Sequence, residues 1–142
     1  MWEMLWPFLV VVLSSTFYNI CAKSTPSNVN AFGALMITYF TATVLTGIIF
    51  LAIVKPENAV AELSKINWTS FLFAVAIVGL EVGYIFMYRA GWNVSTGPLI
   101  ANICIAISLI FVGAIVFSET ISIKQVLGIF VCIVGLVLIN MG

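Results

Sequence analysis

The sequence predicts an all-α, polytopic integral membrane protein with five transmembrane helices per chain. Of its 142 residues, 63% are hydrophobic and only 7% are charged, whereas about 25% of the residues in a soluble domain are charged. The chain contains five apolar runs, each close to the length of about 20 residues that a helix needs to cross a bilayer. We therefore expect a single transmembrane repeat over residues 1–142, with spans at about 5–22, 31–54, 68–88, 98–117 and 123–140.

The first two spans are bounded by polar and helix-breaking residues. The first begins near Trp6, a residue type common at membrane interfaces, with Pro7 in its first turn, and it ends at Lys23. No Lys or Arg precedes this run, which favours a transmembrane helix over a signal peptide. The second span ends at Lys55, and residues 57–67 are the one hydrophilic loop expected between spans.

The remaining three spans begin and end at recognisable signals. The third starts at the interfacial residue Trp68 and stops before Gly91. The fourth starts with Pro98 in its first turn. Ser122 and Gln125 have the spacing of a capping box, so the fifth helix is expected to begin there and to end near residue 140.

The charges give little preference for one orientation in the membrane. With five spans, Lys55, Lys65 and Lys124 lie on one side and Lys23 and Arg89 on the other. Because basic residues set the orientation, such a small excess permits two opposite insertions, which could pair as an antiparallel dimer. Insertion in a single orientation is the alternative.

Several functional classes are excluded by the residue types that the sequence lacks. The net charge is zero and there is no histidine, so we expect neither nucleic-acid binding nor histidine-dependent catalysis. Cys21, Cys104 and Cys132 lie singly in apolar runs, without the spacing of a metal site. No phosphate-binding loop motif is present. We expect no cofactor, no metal and no enzymatic activity.

Glu81 is the one acidic residue deep in a predicted span, where a charged side chain costs about 2.5–3.5 kcal/mol. Helical spacing places it on one face with Tyr84, Ile85, Tyr88 and Arg89. One interpretation is a substrate- or proton-binding site in a water-filled cavity. The other is a structural ion pair or hydrogen-bonded clasp, although Arg89 is about 12 Å further along the helix axis.

Other spans carry uncharged polar residues that are candidates for the same site. Tyr18 and Asn19 share a polar face of the first helix, and Asn102 is expected inside the bundle from the fourth. These groups either line a cavity or form hydrogen bonds between helices. The second helix carries Tyr39 and four threonines that are expected to bond their own backbone, namely Thr38, Thr41, Thr43 and Thr46.

The fifth helix has no polar side chain between Gln125 and residue 140, so it is not expected to line an aqueous path. Gly128, Cys132 and Gly135 form a stripe of small residues instead. Small residues allow two helix backbones to approach closely. The stripe therefore predicts a packing surface, within the chain or across a dimer.

The second half of the chain combines three sequence features: residues 89–95, the turn 117–122, and the final helix at 125–128 and 133–138. In these features it resembles an EamA-type repeat of the drug/metabolite transporter superfamily. Relatives have a Gly-Glu-Arg-like turn before that helix. Here the turn reads Ser118-Glu119-Thr120, so only the glutamate matches.

The resemblance implies a secondary transporter of small metabolites or amphipathic compounds that works by alternating access, with possible ion or proton coupling. Most relatives fuse two five-helix repeats in inverted orientation, which implies a homodimer for a chain with one repeat. The expected surroundings are lipid, in the bacterial inner (plasma) membrane, and the expected ligand is a small molecule. The alternative is a non-catalytic accessory subunit of a membrane complex.

Overall fold

The computed structural model describes residues 2–120 and 122–140, and these residues form α-helices joined by short connections. The helices are α1 (Trp2–Ser24), α2 (Ala31–Ile53), α3 (Pro56–Leu63), α4 (Trp68–Arg89), α5 (Gly97–Val116) and α6 (Ile123–Asn140). Within these described ranges there is no β-strand. The predicted all-α class is confirmed.

Among the described residues, four helices are long and apolar enough to cross a membrane: α1, α2, α4 and α5. The apolar part of α6 that can be described, Ile123–Gly135, is shorter than a full span. The polytopic membrane architecture therefore stands, and the fifth span stays a prediction.

Two local features differ from the predictions. The hydrophilic loop contains the short helix α3, which begins with Pro56 at its first position and has Glu57 in its first turn. Both residues favour a helix start. At the other end of α3 the side chain of Glu62 pairs at 2.6 Å with that of Lys65, which follows the helix. Helix α1 begins at Trp2, so Pro7 lies inside the helix and not in its first turn.

The predicted helix boundaries at Gly91 and Ser122 are formed by the expected chemistry. Gly91 follows the end of α4 with a φ of 99°, a left-handed conformation that costs glycine little. At the start of α6 the backbone N–H of Ser122 donates to Gln125 Oε1 at 2.7 Å, and the Gln125 N–H donates to Ser122 Oγ at 3.3 Å. The capping box is confirmed.

The chain divides after Ala90 into two compact units. In the first unit α4 packs against both α1 and α2, and Ala31, Leu35 and Ile85 form a small buried core with Tyr39 and Val82 against it. In the second unit α5 packs against α6. Most large apolar side chains are exposed, as expected where lipid replaces water around the helices.

Candidate functional site

Glu81 lines a cavity inside the first unit. The cavity has a volume of about 120 Å³ and lies among α1, α2 and α4. Besides Glu81, its polar or weakly polar lining residues are Tyr18, Cys21, Thr25 and Thr38. Glu81 itself is half-buried. The helix face predicted to carry the acidic residue therefore faces the other helices of this unit.

Two tyrosine hydroxyls are buried near this carboxylate. Those of Tyr18 and Tyr39 are within electrostatic range of Glu81. The Tyr39 hydroxyl is directed at the Glu81 carboxylate, outside the limits of standard hydrogen-bond geometry. The Tyr18 hydroxyl has no hydrogen-bond partner among the described residues. A buried polar group without a partner is costly, so the Tyr18 hydroxyl is available to a bound molecule.

The aromatic rings continue along α4. The ring of Tyr18 packs edge-on against that of Tyr84, with centroids 5.5 Å apart, and the rings of Tyr84 and Tyr88 lie 6.1 Å apart. The chain contains four tyrosines, and all of them belong to this cluster. Three helices thus contribute phenol rings around one carboxylate.

Tyr88 ties α4 to α1 through a hydrogen bond. Its hydroxyl donates to Asn19 Oδ1 at 2.6 Å, while Asn19 Nδ2 donates to the Ser15 carbonyl at 2.8 Å. Tyr88 is among the most buried residues, with 4% of its surface exposed. The structure therefore brings together three of the predicted site residues, Tyr18, Asn19 and Tyr88. The hydrogen bond between Tyr88 and Asn19 also holds α4 against α1.

Arg89 does not pair with Glu81. Its Nη2 donates to the carbonyls of Val29 at 2.6 Å and Pro26 at 3.2 Å. It thereby holds the connection between α1 and α2. No described basic side chain forms an ion pair with Glu81, whereas Glu62 pairs with Lys65.

A second cavity, of about 370 Å³, adjoins the first at the end of α1 and α4. The two cavities share Ala22, Thr25 and Ile85 in their linings. Lys23 and Arg89 line the second cavity, and the Lys23 ammonium lies 5.6 Å from the centroid of the Tyr88 ring. The two cavities are therefore neighbours at the end of α1 and α4.

A third, open cleft of about 410 Å³ lies between α2 and α4, with Tyr39 in its lining. Thr43 and Thr46 also line it, but their hydroxyls donate to carbonyls of their own helix. The hydroxyls of Thr38 and Thr41 do the same. The interpretation that the α2 threonines satisfy their own backbone is confirmed.

Not every predicted residue joins the cluster. Asn102 belongs to α5 in the second unit, where its side chain is exposed and not in an interior. Cys132 is also exposed, and a Cβ added at Gly128 or Gly135 would meet no described atom within 4 Å. The small-residue stripe is therefore open along the described part of α6.

Tyr39 is the main site residue that the sequence analysis missed, since it was grouped there with the threonines of α2. Thr25, Thr38 and Cys21 were likewise not assigned to the site, although they line the Glu81 cavity. The composition contains a signal that could have assigned Tyr39 to the site. Tyrosine occurs four times in a chain that has one acidic residue at membrane depth, and a polar aromatic group in lipid needs a polar partner.

The site offers proton and cation chemistry. A carboxylate without an opposing basic group attracts either a proton or a cationic part of a ligand, and tyrosine faces attract cations. The buried phenols supply hydrogen-bond donors. No group of three or more metal-binding side chains occurs in the part of the chain that the structure describes.

Helices long enough to span a bilayer, with a polar cavity among them, define a polytopic helical membrane protein. The model of the EamA-like transporter family matches residues 1–141. The chain therefore belongs to the EamA-like transporter family, and membership implies a transport function in the membrane. The comparisons with curated proteins and with solved structures find no match.

Proposed function

We propose that this protein is a secondary transporter of small metabolites or amphipathic compounds, with Glu81 as the group that binds a proton or the cationic part of the substrate. One observation carries the proposal: Glu81 lies in a cavity bordered by tyrosines from three helices, without an ion pair to any described residue. Keeping a carboxylate at this depth costs free energy, which a purely packing role does not require.

Alternating access requires a cavity that can open to either side of the membrane. The cavity of about 370 Å³ next to the Glu81 cavity supports entry from the end of α1 and α4, and the cleft beside Tyr39 supports an opening along α2. Tyr39 lies between Glu81 and that cleft. We infer that substrate reaches Glu81 from the first side and leaves past Tyr39.

The functional unit is proposed to be a homodimer, with antiparallel insertion of its two chains. Two features support this: the open small-residue stripe on α6 and the nearly equal basic charge of the two sets of loops. The second copy would supply further walls to a site that one first unit leaves partly open. The bacterial inner membrane is the proposed location.

The alternative function is that of an accessory subunit in a membrane complex. The bond between Tyr88 and Asn19 and the Arg89 contacts favour it, because they show that part of the same α4 face holds helices together. In that case the Glu81 cluster would stabilise the bundle, and a partner chain would provide specificity.

Reconstitution of the purified chain into liposomes separates the two functions. Uptake or counterflow is measured for a panel of labelled amines, neutral metabolites and amphipathic cations. We expect the chain alone to move at least one compound above the rate of empty liposomes, and the Glu81→Gln protein to move it at the empty-liposome rate. Glu62→Gln, which changes an exposed glutamate, is the matched control. Absence of transport for the whole panel by a folded protein supports the accessory-subunit function.

A further inference from the structure

The cavity at the end of α1 and α4 has a different chemistry from the Glu81 cavity. Its lining residues include Lys23, Arg89, Ser24, Thr25 and Ser27, and none of the described residues that line it is acidic. Arg89 lies at the C-terminus of α4, and the partial charge of roughly −0.5 at a helix C-terminus is smaller than the full positive charge of its guanidinium.

Arg89 is fixed in this cavity and keeps unused hydrogen-bonding capacity. Its two bonds to the carbonyls of Pro26 and Val29 leave the guanidinium charge uncompensated, because no described carboxylate pairs with it. Its Nε is buried without a hydrogen-bond acceptor among the described residues. A carbonyl neutralises no charge, whereas an anion does, and guanidinium groups bind phosphate oxygens with particularly good geometry.

The cavity is also preformed. The Arg89 bonds hold the connection that carries Ser27, and the Lys23 ammonium lies over the Tyr88 ring, whose hydroxyl is bonded to Asn19. The cationic groups are therefore positioned before a ligand arrives, which lowers the entropic cost of binding.

We propose that this cavity is a binding site for a phosphate-type anion, held by Lys23 and Arg89. Both residues lie in the last turn of a helix that is long enough to span the membrane, which is the level at which lipid phosphates lie. The same chemistry is offered by a phospholipid headgroup and by a free phosphate. The cavity shares Ala22, Thr25 and Ile85 with the Glu81 cavity and is the proposed entrance for substrate, so a bound anion lies at the entrance of the proposed transport route.

The test uses the purified full chain in a neutral detergent with three probes: inorganic phosphate, a short-chain phosphatidylglycerol, and the phosphate-free diacylglycerol with the same acyl chains. Binding is measured by the shift of the thermal unfolding midpoint with probe concentration and by native mass spectrometry. We expect phosphatidylglycerol to bind and diacylglycerol not to bind. If inorganic phosphate also binds, the anion alone is sufficient for binding. If only phosphatidylglycerol binds, the ligand is a phospholipid headgroup.

Lys23→Gln is the informative variant, because Arg89 also holds the connection between the helices. It should bind the phosphate-bearing probe about five-fold more weakly, the effect expected for one basic residue near an anionic lipid, and Lys23→Arg should restore binding. Lys55→Gln is the matched control at the end of another span and should bind as the unmodified chain does. Equal binding of phosphatidylglycerol and diacylglycerol, or unchanged binding by Lys23→Gln, would overturn the proposal.

Discussion

At the scale of single residues, Glu81 and the tyrosines determine what the first unit can bind. Desolvating a carboxylate without a basic partner is unfavourable, and here phenols lie close to it. The Tyr39 hydroxyl is directed at the Glu81 carboxylate and the Tyr88 hydroxyl donates to Asn19, whereas the Tyr18 hydroxyl has no hydrogen-bond partner among the described residues. The cluster therefore combines one contact between helices, one phenol on the carboxylate and one hydroxyl that is available to a ligand.

Tyr88→Phe should lower the free energy of unfolding by about 0.6 kcal/mol, the average measured for hydrogen bonds between membrane helices. The change leaves Asn19 Oδ1 without its donor. Tyr84→Phe is the control, because ring contacts are its only interactions that we describe, and phenylalanine keeps them. Unfolding in a denaturing detergent series measures both variants. Equal losses in the two proteins would show that the Tyr88 hydroxyl contributes nothing specific.

In transport assays both changes, Tyr84→Phe and Tyr88→Phe, should weaken substrate binding less than Glu81→Gln does.

At the scale of elements, the connection between α1 and α2 depends on α4. Arg89 is the last residue of α4 and donates to two carbonyls in residues 26–29. One side chain thereby sets where α2 begins relative to α1.

Arg89→Gln should increase amide hydrogen exchange in residues 25–30, because the connection loses two bonds to the guanidinium. We expect the exchange of α5 to stay the same, since that helix belongs to the other compact unit. Lys55→Gln, at another helix boundary, serves as the control. Unchanged exchange in residues 25–30 of the Arg89 variant would show that the connection is held by other contacts.

The helix ends were predictable because their signals are local. The capping box at Ser122 and the left-handed Gly91 are both formed by residues within a few positions of the helix end. The role of Tyr39 was not predictable in this way. Helical periodicity gives the face of one helix, whereas the approach of Tyr39 to Glu81 depends on how α2 packs on α4, which short sequence spacing does not encode.

At the scale of the whole molecule, the open stripe on α6 is the surface best suited to a second copy. Adding a Cβ at Gly128 meets nothing described within 4 Å. A larger side chain there should therefore be tolerated by the single chain but not by a close helix pair.

Gly128→Leu should shift the protein from dimer to monomer while leaving its helix content unchanged. The reason is that leucine prevents the close backbone approach that small residues allow. Phe130→Leu changes an exposed residue about 200° away around α6 and is expected to remain dimeric. Multi-angle light scattering in detergent and crosslinking in native membranes measure the state. If the Gly128→Leu protein dimerises as strongly as the unmodified chain, the dimer interface does not include Gly128.

Antiparallel insertion predicts that the α3 segment is found on both sides of the membrane. In a chain whose three cysteines are replaced, Asn58→Cys supplies one exposed thiol in α3. A membrane-impermeant maleimide should label about half of these thiols in intact cells and all of them after lysis. If all of the thiols, or none of them, are labelled before lysis, the chain inserts in a single orientation.

The most direct test of the central claim is the pH dependence of transport by the Glu81→Gln protein in liposomes, using a compound that the unmodified chain moves. Glutamine keeps the size of the side chain but cannot change its charge. We predict that the unmodified chain and Glu62→Gln transport in a pH-dependent way, whereas Glu81→Gln is folded, inserted and inactive in coupled transport. Normal transport by Glu81→Gln across the pH range would contradict the account. A Glu81→Gln protein that fails to fold would instead assign the carboxylate a structural role.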